Sequence, residues 1–287
     1  MYYRRFFMSK FIMSAFADEY ADSLDEQLEA LARHGIGYLE LRHADKINVR
    51  DMTPENVERV EKALKANGIK LSALGSPIGK VKLTDDIDAH LDAAKRMFET
   101  AVRLEAPYVR MFSFYSESGF GEKEREQVFT NVEKLLDLAD TYGLKLCHEN
   151  EARIFGESPE RCLELLEHFG GRLKAVFDMG NFVLDGYKPF PDAYDKLFPY
   201  IEYFHIKDSL YAGAIVPAGR GEATIAEILR EHMARTDKDF FVSLEPHLEC
   251  FSGLNALVGK KFENPYKFEN KKVAFDFAVD SLKEIMK

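Results

Sequence analysis

The chain has 287 residues, of which 46% are hydrophobic and 31% charged, and its formal net charge is -10. These values are ordinary for a globular protein and give no indication of disorder. The acidic balance argues against binding to a phosphate backbone, so we expect no nucleic-acid partner. Because no apolar stretch approaches the ~20 residues that a bilayer requires, we expect a soluble protein with no membrane partner.

Apolar runs rich in β-branched and aromatic residues alternate with amphipathic segments, which predicts a parallel sheet covered by helices. The predicted strands are residues 11–17, 37–41, 70–74, 108–114, 145–149, 174–178, 203–207 and 240–245. The predicted helices are residues 23–34, 54–67, 86–104, 122–142, 159–169, 190–199, 224–235 and 271–286. A barrel of eight such units typically takes about 250 residues. The predicted fold class is therefore α/β, a (β/α)8 TIM barrel.

No linker or low-complexity tract divides the chain, so we predict a single domain over residues 1–287. Residues 1–10 form an N-terminal extension in which Ser9 and Lys10 interrupt the apolar run, and this argues against an export signal. Residues 249–270 follow the eighth strand and are predicted to form a loop over the barrel mouth. The three cysteines are widely spaced and form no CxxC pair, which favours a reducing cytoplasm.

The last four predicted strands each end on a carboxylate or an imidazole. Glu149, Asp178, His205 and Glu245 follow apolar runs at spacings of 29, 27 and 40 residues. A single carboxylate at a strand end is usually a helix cap or an ion-pair partner. Four at corresponding ends indicate a shared site, because the carboxyl ends of barrel strands meet at one mouth. Glu151 lies on the same face of its strand as Glu149 and is the rival ligand.

Three carboxylates and one imidazole are donors that suit Mn²⁺, with Mg²⁺, Co²⁺ or Zn²⁺ as alternatives. A divalent ion held by them can bind two adjacent oxygens of a hydroxy-ketone and stabilise the enediolate left when a proton is removed. Glu149 and Glu245 could then flank the substrate carbon, one removing a proton and the other returning it. The pattern therefore predicts one catalytic divalent metal.

At these residues the sequence resembles the xylose isomerase-like TIM-barrel superfamily, and within it the sugar phosphate isomerase/epimerase group of the tagatose 3-epimerase type. The matching segments are HEN at 148–150, FDMGN at 177–181, FHIKD at 204–208, GRGE at 219–222 and LE at 244–245. The resemblance implies that one divalent metal is bound by Glu149, Asp178, His205 and Glu245. It also implies that Glu149 and Glu245 are the acid/base pair.

The function implied is that of a metal-dependent isomerase or epimerase acting on a sugar or a sugar phosphate. A dehydratase of the inosose type on the same barrel is the alternative. An apurinic endonuclease and a non-catalytic sugar-binding barrel are less favoured, the former because its metal cluster needs several more histidines on strands two to four. Association into a homo-oligomer stays open, since the sequence offers no apolar patch that would define a stoichiometry.

Other residues near these motifs are predicted to bind the substrate. Asn181 stands where ketose 3-epimerases usually have a histidine, and Tyr211 where they have an arginine, so a free ketohexose is not indicated. Arg220 in the glycine turn could replace the lost positive charge or face solvent. Lys207 is expected to reach the substrate, and Asp208 to orient His205 or the adjoining loop. The full predicted set of substrate-binding residues is Glu40, Asn181, Lys207, Asp208, Arg220 and His247.

Overall fold

The structure is a computed structural model that describes residues 10–248, 264 and 266–287. Eight parallel strands close into a barrel in which the first strand pairs with both the second and the last. Closure leaves the barrel with no unpaired edge. The predicted (β/α)8 TIM barrel is thus confirmed. The strands are β1 Phe11–Ala15, β2 Tyr38–Leu41, β3 Lys70–Ile78, β4 Tyr108–Met111, β5 Lys145–Glu149, β6 Leu173–Asp178, β7 Ile201–Ile206 and β8 Phe240–Leu244.

Helices surround the barrel, and two short hairpins extend its carboxyl end. The hairpins pair His43–Ala44 with Ile47–Asn48 and Asp208–Leu210 with Ala214–Val216. None of the helices in the described part of the chain is long and apolar enough to cross a membrane. The helices are α1 Leu24–Arg33, α2 Pro54–Asn67, α3 Ile87–Arg103, α4 Glu122–Thr141, α5 Pro159–His168, α6 Met179–Leu184, α7 Tyr194–Leu197, α8 Ile225–Arg235 and α9 Lys271–Ile285.

Local signals fix several of these boundaries. Thr53 caps α2 by accepting a hydrogen bond from the Asn56 backbone N–H, and Pro54 occupies the first helical position, where its missing N–H costs nothing. Ser158 caps α5 in the same way. Gly68 ends α2 with a φ of 64°, a left-handed conformation that favours glycine. Strands β3 and β6 each begin shortly after such a helix end or turn.

Several predicted elements have the wrong extent. The predicted helix at 190–199 is broken into short turns around α7, because the prolines at 189, 191 and 199 lack the N–H that a continuous helix needs. α6 was not predicted. β3 runs on to Ile78, whereas β4 stops at Met111, because the chain turns away before Phe114, which has a φ of 65°. The predicted extension and most of the predicted mouth loop, residues 1–9 and 249–263, lie outside the described residues.

The core has two parts, one on each side of the barrel wall. The larger part fills the space between strands and helices. The smaller part lies inside the barrel and comprises Ala73, Cys147, Val176 and Tyr203. Tyr203 stacks on Tyr108 there, with ring centroids 5.6 Å apart. This apolar plug closes the inside of the barrel, so the polar groups at the carboxyl ends of the strands have a packed floor beneath them.

Candidate metal centre and active-site cavity

The carboxyl ends of β5, β6, β7 and β8 bring four potential metal ligands together. One donor atom from each of Glu149, Asp178, His205 and Glu245 lies within 4.8 Å of the others. All four residues are buried, with Asp178 and His205 at 0% exposure. The structure therefore gathers the four residues that the strand-end pattern singled out, and their role as ligands stays a prediction. We call them the four-donor group.

Asp178 is held by the start of α6. Its Oδ1 accepts a hydrogen bond of 2.8 Å from the backbone N–H of Asn181, so it caps the helix that follows β6. Asn150 bridges the neighbouring strand: its Oδ1 accepts from the Asp178 N–H and its Nδ2 donates to the Asp178 carbonyl, both at 2.9 Å. This reciprocal pair fixes the end of β6 against β5. Asp178 therefore has little freedom to rotate away from the group.

His205 occupies the centre of the group. Its Nδ1 lies 3.0 Å from Glu149 Oε1 and 3.4 Å from Glu245 Oε2. Its Nε2 lies 3.2 Å from each carboxylate oxygen of Glu40. The edge of the Phe16 ring packs against the imidazole with centroids 5.1 Å apart. The imidazole thus presents Nδ1 to the other donors and Nε2 to Glu40.

Three cations neutralise the carboxylates: Lys207 and Arg110 are buried, and Arg42 is partly buried. Lys207 Nζ donates to Asp178 Oδ2 at 2.9 Å and to Glu245 Oε2 at 3.3 Å. Arg110 donates to Glu149 Oε2 at 3.1 Å, and Arg42 donates to Glu245 Oε1 at 2.9 Å. Each glutamate therefore points one oxygen into the four-donor group and ties the other to an arginine. This division fixes the plane of each carboxylate.

The two glutamates are ionised. Burial alone would raise the pKa of Glu149, but His205 and Arg110 outweigh it and lower that pKa to about 2. Burial is likewise opposed at Glu245, where Lys207 and His247 hold the pKa well below its ordinary value. Both side chains are therefore able to accept a proton at neutral pH.

The other members of the group have shifts of the opposite direction. Burial raises the pKa of Asp178 to about 6, although Lys207 opposes the change. The pKa of His205 is raised well above its ordinary value: burial would lower it, but Glu149 and Glu40 dominate. The imidazole and Lys207 supply the positive charge among these carboxylates.

The donor set fits an oxygen-preferring divalent cation. Three carboxylate oxygens and one imidazole nitrogen converge in a buried position, and such donors suit Mn²⁺, Mg²⁺ or Zn²⁺. Neither Cys147 nor Cys162 belongs to the group, and both thiols are buried and unpaired. This buried cluster could therefore bind a divalent metal, with the cavity above it open for a substrate.

A cavity of about 1240 Å³ lies over the four-donor group. Glu149 and Glu245 both line it, as do Asn181, Lys207 and His247. Lys207 Nζ also donates to Asn181 Oδ1 at 3.1 Å, so the two side chains form one polar patch on the wall. The two ionised glutamates and this patch face the same space, where a small polar molecule would meet them together.

Three predicted substrate-binding residues do not line this cavity. Glu40 is completely buried beneath His205. Asp208 accepts hydrogen bonds from the backbone N–H groups of Gly219 and Gly221 at 2.8 and 2.9 Å, so it organises the glycine turn. Arg220 is half exposed and lies 3.7 Å from Glu284. Their placement does not support direct substrate contact. A position at the end of a strand indicates which end of the barrel a side chain lies at, but not whether it reaches the cavity.

The rival ligand Glu151 also has a different environment. It forms an ion pair of 2.8 Å with Lys80 on the cavity wall and lies outside the four-donor group. His148 points to the opposite side of β5, where its Nε2 lies 2.9 Å from Ser113 Oγ. The alternation of β5 therefore separates Glu149 from His148, as predicted.

The sequence did not single out Asp18, Glu19 or Arg42 as functional candidates. Arg42 comes directly after β2 and also pairs with Asp18 at 2.8 Å. Glu19, Glu245 and His247 form a second potential metal-binding set, but Arg42 already contacts both of its carboxylates. Asp18 and Glu19 follow β1, so they could have been found as a further acidic strand end. Their link to the four-donor group is the ion pairs that both form with Arg42, which also contacts Glu245, and the sequence does not show these contacts.

Comparison with known proteins agrees with this architecture. The sequence model of one protein family, described as xylose isomerase-like TIM barrel, matches residues 28–260. No curated protein sequence matches the chain. One similar solved structure is the probable 3-DHS dehydratase AsbF involved in petrobactin synthesis from Bacillus anthracis, with 19% identity, a TM-score of 0.72 and coverage of 97% of this chain and 99% of that one.

Two further structures have the same fold. D-psicose 3-epimerase with D-tagatose from Clostridium cellulolyticum H10 has 15% identity and a TM-score of 0.70, with 96% of this chain and 98% of that one covered. A xylose isomerase-like TIM barrel protein from Mycobacterium smegmatis, in complex with magnesium, has 15% identity, a TM-score of 0.68 and full coverage of both chains, 100% of each. At these identities the similarity shows the fold alone.

Proposed function

The chain belongs to the xylose isomerase-like TIM barrel family, and on that premise we propose that it is a divalent-metal-dependent isomerase or epimerase of a sugar or sugar phosphate. The observation that carries the proposal is the pair Glu149 and Glu245. Both are ionised, both line one cavity, and both belong to the four-donor group. Two carboxylates placed in this way can exchange a proton with one substrate carbon.

The cation would be held by Glu149, Asp178, His205 and Glu245. We favour Mn²⁺ because carboxylate-rich sites with one imidazole suit it, and Mg²⁺ is the alternative. When bound, such a cation would bind two adjacent substrate oxygens and stabilise the negative charge that develops as a C–H proton leaves. Our assignment of these ligands rests on convergence, burial and donor chemistry.

The protein's own residues would carry the proton. Glu149, kept ionised by His205 and Arg110, removes it or returns it, and Glu245 does the converse from its own position in the group. Lys207 offers N–H donors in the cavity and would orient a substrate hydroxyl together with Asn181. The apolar floor and the burial of the donors exclude bulk water from below the reacting carbon.

The test is proton exchange with solvent. Ketohexoses, their phosphates and related polyol-derived ketones are incubated with the Mn²⁺-loaded protein in deuterated water, and the products are analysed by NMR and mass spectrometry. The proposal predicts one deuterium at the inverted or isomerised carbon. A substrate panel that shows neither exchange nor product, with protein that binds Mn²⁺, would contradict it.

A dehydratase is the second candidate, and one residue favours it. Asp185 lines the cavity, and burial together with Glu157 and Glu151 raises its pKa to about 7. A carboxyl that is partly protonated at neutral pH can donate a proton to a departing hydroxyl. A similar structure is that of a probable 3-DHS dehydratase. Loss of water in the same assay would assign this reaction instead.

Partners and location follow from the same reasoning. We infer a small-molecule sugar substrate, no nucleic-acid partner and a single domain. The buried free thiols of Cys147 and Cys162 support a reducing compartment such as the cytoplasm. A homo-oligomer is compatible with this assignment.

A further inference from the structure

A buried carboxylate lies directly beneath the four-donor group. Glu40 ends the inward-facing part of β2, and His205 and Tyr203 share one face of β7 because they are two residues apart. Glu40, Tyr203 and His205 all have 0% exposure. Glu40 does not line the cavity, so it has no access to a substrate in this arrangement.

The contacts of Glu40 form a short chain of hydrogen bonds. Tyr203 donates its O–H to Glu40 Oε1 at 3.0 Å. Both oxygens of Glu40 lie 3.2 Å from Nε2 of His205 and can accept a hydrogen bond from its N–H. Nδ1 of the same ring faces Glu149 Oε1 at 3.0 Å. The order Tyr203–Glu40–His205 therefore runs from the barrel interior to the donor group.

Burial of the Glu40 carboxylate is energetically unfavourable unless its partners compensate for the lost hydration. A carboxylate removed from water loses several kcal/mol of hydration, and only good partners recover that loss. Ala73 is paired opposite Glu40, Tyr203 belongs to the internal cluster beside it, and the buried guanidinium of Arg110 is close enough to interact with it electrostatically. Both carboxylate oxygens of Glu40 are directed at His205, whereas Tyr203 contacts one of them. The retained charge is therefore best explained by what it does to His205.

We propose that Glu40 is a positioning residue that fixes the ring orientation and tautomer of His205, and that Tyr203 holds Glu40 in place. With a cation bound, His205 would be neutral: Glu40 would accept a hydrogen bond from its Nε2–H, and the Nδ1 lone pair would face the cation. Carboxylates in this relation to a metal-bound histidine raise its strength as a ligand. The inference rests on the proposed function, because it takes His205 as a metal ligand.

The experiment measures Mn²⁺ affinity by isothermal titration calorimetry and the melting temperature of the metal-free protein. Glu40→Gln keeps the size of the side chain and removes its charge, and we expect the Kd for Mn²⁺ to rise about 10- to 100-fold. Glu40→Asp keeps the charge but shortens the reach, and we expect it to weaken binding as well. Tyr203→Phe, which leaves Glu40 intact, should cause a smaller rise in Kd.

Tyr194→Phe is the matched control. Tyr194 also contacts a buried histidine, with its hydroxyl 3.2 Å from Nδ1 of His232, but that pair lies outside the four-donor group. Its substitution should leave the Mn²⁺ affinity unchanged. A common effect of both tyrosine variants on Kd would show that general loosening of the barrel, and not the Glu40 contact, is responsible.

The outcomes separate the two proposals. A Glu40→Gln protein whose metal-free melting temperature falls while its Kd stays unchanged would show a purely structural role and overturn the inference. If Glu40→Gln does not fold, Tyr203→Phe decides, and an unchanged Kd overturns it. Wild-type protein that binds no Mn²⁺ would remove the metal centre and this inference with it. Glu40-dependent binding without turnover would contradict only the proposed reaction.

Discussion

Two glutamates on the same face of one strand end have different environments. Glu149 lies in the four-donor group and contacts His205 and Arg110, whereas Glu151, two residues later, pairs with Lys80 on the cavity wall. Because both face the cavity, the alternation of β5 alone could not choose between them. The choice follows from where the strand ends: only Glu149 is still within the barrel register.

This difference predicts different kinetic effects. Glu149→Gln and Glu245→Gln should each lower kcat by about 10²- to 10⁴-fold, because each removes a general acid/base group. Glu151→Gln, the matched control, should stay close to the wild-type rate. Steady-state kinetics with circular dichroism as a check on folding will measure this. Near-normal turnover in either active-site variant would remove that glutamate from the proton-transfer role.

For single residues, the sequence predicted which polar side chains lie at the carboxyl end of the barrel, but not how deeply each one is buried there. The four donors were found because strand ends in a parallel barrel share one mouth. Glu40 was also expected there, yet it lies below His205, since the residue is on the inner face of β2 one layer lower. Arg220 was expected near the substrate and is half exposed. Whether such a residue reaches the cavity depends on contacts between strands that are far apart in the sequence.

At the level of elements, α8 packs on the barrel through a buried histidine. The ring of His232 lies among aromatic side chains, with centroids 4.8 Å from Phe204 and 4.6 Å from Phe240. Burial and the neighbouring Arg235 lower the pKa of His232 to about 4. The folded protein therefore keeps this imidazole neutral well below the pH at which an unfolded chain would protonate it.

The lowered pKa of His232 makes the folded protein less stable as the pH falls. His232 has a depressed pKa when folded, so its contribution to stability is complete above pH 6.5 and is lost as the pH falls towards 4. At pH 5 the loss amounts to about 2 kcal/mol of the free energy of unfolding. We expect His232→Gln to be less stable at pH 7 but to lose less on acidification. Urea unfolding at pH 7 and 5 measures both.

Other acid-sensitive groups act equally in both proteins, so the difference between them isolates His232. An equal loss of stability in wild type and variant between the two pH values would contradict the account of this interface.

Element boundaries were predicted where local chemistry sets them. α2 begins at Pro54 and ends at Asn67 as predicted, because a capping threonine, a proline and a left-handed glycine define it without tertiary help. α6 was not predicted because its start is defined by Asp178, a residue that we expected only to be a metal ligand. One side chain there serves both as helix cap and as candidate ligand.

At the scale of the whole molecule, the closed barrel converts residues far apart in sequence into one centre. Metal binding should therefore stabilise the fold as a whole. At a Mn²⁺ concentration of 100 times Kd the gain is about 2.7 kcal/mol, which for a chain of this size raises the melting temperature by about 4 °C. Calorimetry with and without Mn²⁺ will measure it.

Asp178→Asn is the informative variant for this measurement. Asparagine caps helices about as well as aspartate, so α6 should persist while one carboxylate ligand is lost. We expect a metal-free melting temperature near that of wild type and a much smaller rise with Mn²⁺. An undiminished rise would place the stabilising cation elsewhere.

Anomalous scattering from crystals equilibrated with Mn²⁺ tests the central claim most directly. One anomalous peak is predicted among Glu149, Asp178, His205 and Glu245, with the Nδ1 atom of His205 directed at it. A peak between Glu19 and His247, or no peak above this end of the barrel, would contradict the claim that these four strand ends hold one catalytic metal.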